Sequence, residues 1–210
     1  MPINIPAITS TFSCIRNPST LVPDAIYESF ATISKDLSRV LSDKYKQQIN
    51  IKAIVLDKDN CISISKQLDI YHKNLSKLNE LKAQYGDRNV VVFSNSIGSQ
   101  LEDKTGIDAR EFERRNKIPV IRHTQQKPGG YREALTTLLE QTDARHPKEL
   151  AIIGDRLLTD IKFANNMGAW GIWLSHGITR KYQWGNMFDR WIYRTFLKNR
   201  KPLAAVEKSV

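Results

Sequence analysis

The sequence predicts an α/β fold built on a Rossmann-like parallel sheet. Two observations carry that expectation. Short apolar runs recur along the chain with helix-length stretches between them, the spacing that parallel crossovers need. The polar residues that stand out, Asp57, Ser94, Lys127 and Asp155, fall on or after the ends of those runs, where open α/β sheets place their ligands.

In chain order, the first 23 residues hold no acid and one base, Arg16. Ile5, Ile8, Phe12 and Ile15 recur at helical spacing, so a short helix there has one apolar face, suited to the core or to a membrane surface. Pro18 and Pro23 bracket a turn, and Asp24 is placed to cap a helix carrying Ile26, Phe30, Ile33 and Leu37. Residues 1–48 thus read as an N-terminal helical arm, possible membrane contact included. Residues 49–180 read as the catalytic core, with strands expected at 51–56, 89–93, 119–121, 150–153 and 169–174. Helices are expected at 68–85, around 130–141 and at 160–167. Residues 181–210 form a basic, aromatic C-terminal segment.

Composition narrows the partners. The 210 residues suit one domain, and 32 Lys and Arg against 22 Asp and Glu give a net charge of +10, which favours an anionic partner: phospholipid headgroups, nucleic acid or a phosphorylated protein. Cys14 and Cys61 suggest neither a disulfide framework nor a thiolate metal site, and a reducing compartment fits them. No run approaches the roughly 20 apolar residues of a membrane span, so any membrane contact is expected to be peripheral.

The chemistry lies in four segments. Asp57-Lys58-Asp59-Asn60 follows the first strand. Asp57 can project into the crevice as a nucleophile toward phosphorus, and Asp59 can protonate the leaving alkoxide and then activate water. An Asp-x-Asp pair alone is often only a turn or a helix cap. Ser94-Asn95 ends the next strand, and its hydroxyl and neighbouring N–H groups can hold a phosphoryl oxygen. Lys127 precedes Pro128-Gly129-Gly130, a rigid and then permissive backbone that can set an ammonium at the crevice. Gly154-Asp155-Arg156-Leu157-Leu158-Thr159-Asp160 closes the set. Gly154 suits an abrupt turn, Asp155 can bind Mg²⁺, and Asp160 can hold a metal-bound water or orient Lys127. Crowded carboxylates need a cation, and hard oxygen ligands point to Mg²⁺.

In this order the motifs resemble the haloacid dehalogenase-like phosphatases. Within them, Asp57-Lys58-Asp59-Asn60, Ser94-Asn95-Ser96, Arg122-His123 before Lys127-Pro128-Gly129, and the segment 154–160 are similar to the mitochondrial phosphatidylglycerophosphatase family of fungi and plants, over about residues 10 to 180. The resemblance implies a fold of the haloacid dehalogenase type with Asp57 as nucleophile and Asp59 as acid and base. It implies Mg²⁺ held by Asp57, the Asp59 carbonyl and Asp155 with Asp160 in support, and phosphate bound by Ser94 and Lys127. Asn95, Arg122 and Arg156 are further substrate-binding candidates. Cys61 departs from the Thr common at that place in the wider superfamily, without removing a charge that catalysis needs.

Spacing speaks to the substrate. One helix fills most of the interval between Asn60 and Ser94, and the interval from Ser94 to Lys127 is equally short, so the fold is expected to be capless. An uncapped crevice admits a headgroup still attached to a membrane, a protein tail or a nucleic-acid end. From Ser175 onward eight bases face two acids, with Trp184, Met187, Phe188, Trp191, Phe196 and Leu197 interleaved, a composition suited to an anionic bilayer or to docking on the core. The resemblance implies hydrolysis of phosphatidylglycerophosphate to phosphatidylglycerol, toward cardiolipin, by a peripheral enzyme on the matrix side of the inner mitochondrial membrane. The expected partner is an anionic phospholipid membrane and no nucleic acid. The competing readings are a protein or nucleic-acid end phosphatase and a non-catalytic anionic-lipid or nucleic-acid binding module.

Overall fold

The computed structural model describes residues 17–179 and 183–203, with the side chains of Gln183, Trp184 and Asn186 outside that description. The helix expected over Ile5, Ile8, Phe12 and Ile15 also lies outside the described residues. Strands β1 (Ala25–Tyr27), β2 (Ala53–Leu56), β3 (Val90–Val92), β4 (Leu150–Gly154) and β5 (Trp170–Leu174) form one sheet in the order β1-β5-β4-β2-β3. Every neighbouring pair is parallel. Strands β2 to β5 are buried along their whole length, which is why they read as continuous apolar runs rather than alternating ones.

Among the described residues six α-helices flank the sheet: α1 (Leu37–Tyr45), α2 (Leu75–Tyr85), α3 (Ile107–Asn116), α4 (Tyr131–Gln141), α5 (Lys162–Met167) and α6 (Gln183–Ile192). Alternate strand residues serve opposite layers. Ile54, Leu56, Val90, Val92 and Ile172 pack with Leu37 and Leu41 of α1, Leu78 and Leu81 of α2 and Phe112 of α3. On the other face Ala53, Val55, Val91 and Ile152 meet Leu138 of α4 and Phe163 and Met167 of α5. A smaller cluster of Leu21, Val22, Leu157, Ile161, Trp173 and Leu197 joins both ends of the described chain to the β4–β5 side. The architecture is a haloacid dehalogenase-like Rossmannoid core, with no obvious cap domain among the described residues.

The N-terminal region departs from the helix expected after Asp24. Residues 25–27 add β1 to β5, and α1 begins only at Leu37, where the Asp36 carboxylate accepts from Arg39 N at 2.9 Å as a cap. Asp24 is instead fully buried, its carboxylate accepting from Gly171 N at 2.8 Å and from the Tyr45 hydroxyl at 2.6 Å. Phe30, Ile33 and Leu37 are buried as their spacing suggests. A 3-10 turn at Phe30–Thr32 followed by extended chain delivers two of them to the core, so helical spacing did not imply a helix. Residues 119–121 make a single parallel bridge, Val120 with Val92, rather than a strand, as suits a sheet margin where Pro119 has no N–H to donate.

Candidate active site

The site forms because three neighbouring parallel strands end together. Leu56 of β2 pairs with Ile153 of β4 and with Val92 of β3, so Asp57, Asp155 and the Phe93-Ser94 pair leave adjacent strand ends. Asp57 N donates to Ile153 O at 2.9 Å, which prolongs the β2–β4 ladder by one residue and holds the nucleophile candidate at the rim. After Asp155 the chain makes a wide turn, Leu157–Ile161, in which Asp160 N and Ile161 N both donate to Arg156 O, at 2.9 and 3.2 Å. Such π-type turns are frequent at functional sites. Here it swings Asp160 back over the strand end, where its carboxylate accepts from Arg156 N at 3.1 Å.

Asp57, Asp155 and Asp160 are thereby brought together, all buried, with carboxylate oxygens within 4.8 Å of one another. Gly154 serves this arrangement differently from the abrupt turn that the sequence suggested. Its backbone is not in the left-handed region, but a Cβ added there would overlap the Asp160 carboxylate. Glycine is required by close approach rather than by backbone angle.

Lys127 lies at the centre. Its Nζ donates to Asp57 Oδ1 at 2.7 Å and to Phe93 O at 2.9 Å and pairs with Asp160 Oδ1 at 2.6 Å, all with the lysine 2% exposed. Burial alone would lower its pKa, yet Asp160 and Asp57 push it up, so the ammonium stays charged. Burial pushes the Asp57 carboxyl up to about 8; Lys127 opposes that rise, and Asp160 and Asp155 add to it. Three buried carboxylates against one ammonium leave the cluster short of positive charge. An all-oxygen donor set of this kind fits a divalent cation, and these three residues are able to coordinate one.

Asp59 stands beside the trio. Its carboxylate pairs with buried Lys58 at 2.7 Å, accepts from Lys66 N at 2.9 Å and accepts a short hydrogen bond from the Ser96 hydroxyl. Burial raises its pKa, but Lys58 and Ser96 outweigh burial and hold it below the usual carboxylate range. Ser94 Oγ lies 3.1 Å from Ser96 Oγ, so the β3 end and the loop after β2 share one hydrogen-bonded chain.

Three residues expected to meet substrate are engaged by the protein. The Asn95 carboxamide brackets the Lys127 backbone, accepting from Lys127 N at 2.7 Å and donating to Lys127 O at 3.1 Å. Arg122 is paired to Glu113 at 2.8 Å. Arg156 pairs through Nε with Asp189 of α6 at 2.8 Å. Asn95 thus fixes the Lys127 backbone, and each arginine has a carboxylate partner within the protein.

The chain matches the model of the family described as mitochondrial PGP phosphatase over residues 5–179. The chain belongs to the mitochondrial phosphatidylglycerophosphatase family. It is an enzyme of that family, a phosphoric monoester hydrolase. It is 38% identical over 194 residues to the probable mitochondrial phosphatidylglycerophosphatase of Schizosaccharomyces pombe, covering 92% of this chain and 93% of that protein. It is 34% identical over 191 residues to the mitochondrial phosphatidylglycerophosphatase GEP4 of Saccharomyces cerevisiae, covering 91% and 97%. The chloroplastic/mitochondrial phosphatidylglycerophosphate phosphatase 1 of Arabidopsis thaliana is 31% identical over 166 residues, 79% of this chain and 44% of that protein. No solved structure matches the chain.

Within this family fold, four contributors escaped the reading of the sequence. Asn60, in the left-handed region at φ 63°, donates to Asp155 Oδ2 at 2.9 Å and accepts from Thr179 N at 3.0 Å. Gly177 leaves room for it, since a Cβ there would overlap the Asn60 carboxamide. Lys58 and Ser96 set the charge of Asp59, and Asp189 anchors Arg156. Asn60, Lys58 and Ser96 lie inside the quoted motifs, so their signal was present. Asp189 gave none beyond being an acid within a basic segment.

Proposed function

We propose that the chain hydrolyses phosphatidylglycerophosphate to phosphatidylglycerol and inorganic phosphate with Mg²⁺ at Asp57, Asp155 and Asp160 and the Asp59 carbonyl. The contact that carries this reading is the buried Asp57–Lys127 pair at 2.7 Å, set among carboxylates at the strand ends. Bound Mg²⁺ would supply the positive charge that lets Asp57 ionise and that offsets repulsion between carboxylate and phosphate. An Asp57 carboxylate oxygen attacks phosphorus, the bond from phosphorus to the glycerol oxygen breaks, and Asp59 delivers a proton to the departing alkoxide. An arriving phosphate opposes the influence of Lys58 on Asp59 and favours its protonated form. Asp59 then takes a proton from water, the hydroxide attacks the aspartyl-phosphate, and phosphate leaves with Asp57 restored. Ser94 and Lys127 hold phosphoryl oxygens throughout.

The relatives named for this substrate support the choice of lipid, as does the lack of a cap, which leaves a bilayer-attached headgroup free to approach. The names of the two fungal relatives support a mitochondrial site of action, and our reading sets the enzyme peripherally on the matrix face of the inner membrane, on the route to cardiolipin. No helix among the described residues is long and apolar enough to cross a membrane. Phosphate release measured side by side on phosphatidylglycerophosphate, phosphatidic acid, a phosphopeptide and a 5′-phosphorylated oligonucleotide tests the assignment. Turnover is expected to be strongest on the first, and equal turnover on all four would refute the lipid reading.

A further inference from the structure

The C-terminal element holds a second set of features that hydrolysis does not use. After α6 the helix widens over Tyr193–Leu197, with Lys198 N donating to Tyr193 O at 2.8 Å. The wide turn shifts the helical phase, so Leu197 stays buried on the side of Asp189 while Phe196 falls beside Trp191. Phe188 stacks on Trp191 with 5.9 Å between centroids, and Trp191 meets Phe196 edge-on at 5.5 Å. These three rings and Met187 are each about half exposed, a contiguous apolar patch of the kind that marks an interaction surface.

Beside this patch, between the helix and the end of β5, lies a groove of about 460 Å³. Arg190, Arg194 and Lys198, four residues apart, line one wall, with His176 nearby and Ile26 and Trp173 as apolar surface. Arg190 Nη1 donates to Ser175 O at 3.0 Å, which fixes one guanidinium at the rim. Among the described residues no carboxylate pairs with Arg190, Arg194 or Lys198, while Asp189, just before Arg190, is turned inward to Arg156. A row of cations over an apolar wall, next to exposed aromatic rings, matches an amphiphile with an anionic head. Rings of this type settle at the headgroup level of a bilayer, and basic side chains reach from it to phosphates. A nucleic acid would meet the bases but would leave Ile26 and Met187 without apolar partners.

We propose that the groove lined by Arg190, Arg194 and Lys198 is an accessory site for the headgroup of an anionic membrane phospholipid, with Phe188, Trp191 and Phe196 seated in the bilayer boundary. Ser175 and His176 follow the C-terminal end of β5, and β5 runs parallel to β2, β3 and β4. The groove therefore opens at the same end of the sheet as Asp57, Ser94 and Asp155. The Arg156–Asp189 pair ties α6 to the catalytic segment, and a Cβ added at Gly185 would stand 2.7 Å from the Arg156 guanidinium, so the two elements pack closely. Docking through this surface turns the catalytic end toward the membrane, whichever phosphomonoester is hydrolysed.

The test uses the full chain with vesicles of phosphatidylcholine alone and of phosphatidylcholine carrying 30% phosphatidylglycerol, by co-sedimentation and by quenching of tryptophan emission with brominated lipid. Wild type is expected to prefer the anionic vesicles. Arg194→Gln and Lys198→Gln should each weaken that binding about fivefold and together about thirtyfold, with unchanged melting temperature. Phe188→Ala with Trp191→Phe should abolish the brominated-lipid quenching and weaken the binding that persists at high salt. Unchanged vesicle binding in the double Gln variant, equal binding to both vesicle types, or loss of binding to a fluorescent oligonucleotide with vesicle binding intact would each overturn the proposal.

Discussion

At the scale of single residues, Asp57 and Lys127 set the terms of the proposed chemistry. A carboxylate must be ionised to attack phosphorus, yet burial with Asp155 and Asp160 holds Asp57 up at about 8 despite Lys127 at 2.7 Å. Replacing Asp57 by Asn keeps the shape and removes the proposed nucleophile, so phosphate release should fall by a factor on the order of 10³ or more while circular dichroism is unchanged. Near-normal turnover would exclude the covalent route. Lys127→Ala and Asp155→Asn should both lose activity, the first through countercharge to phosphate and the second through weaker cation binding. Raising Mg²⁺ in a titration should partly restore Asp155→Asn and leave Lys127→Ala inactive; equal rescue would refute this division of roles.

The wide turn at Leu157–Ile161 and the end of β4 act as a unit, because the turn can return Asp160 to the strand end only if the strand ends in glycine. Gly154→Ala should therefore displace Asp160 rather than merely stiffen the backbone. A destabilisation of about 1–3 kcal/mol is expected from the overlap, read as a lower urea midpoint, together with lost activity because Lys127 loses its partner at 2.6 Å. A fully active Gly154→Ala variant would show that Asp160 has room to move. Element by element, the apolar runs of β2 to β5 and the helices α4 and α5 were legible in the sequence, since burial on both faces leaves an unbroken apolar run. The segment after Asp24 was not. Its buried residues fit helical spacing, but Asp24 satisfies Gly171 N across the sheet at 2.8 Å, a partner far along the chain that periodicity does not register.

For the whole molecule, gathering three carboxylates in the interior sets catalytic charge against stability. Asp57 carries a folded-state pKa of about 8 against 3.8 in the open chain. Between those values the native state keeps a proton that the unfolded chain has released, so metal-free stability should fall as pH rises through this window. Melting temperatures in chelator at pH 5.5 and pH 8 should show that fall. Asp57→Asn should flatten it, and Mg²⁺ should raise the wild-type value at pH 8. An equally steep fall in the variant would locate the effect elsewhere.

By itself the sequence determined the parallel α/β class, the family, and the placing of Asp57, Ser94 and Asp155 after strands, because apolar runs and their polar ends are local properties of the chain. Only the tertiary structure decided which of the marked polar residues meet one another. Strand order put β2 between β3 and β4, which gathered Asp57, Asp155, Asp160 and Lys127 into one cluster. The same packing bound Asn95 to the Lys127 backbone, Arg122 to Glu113 and Arg156 to Asp189. Those partners lie on other elements, and a side chain's role depends on which neighbour satisfies its charge, a choice made through space rather than along the chain.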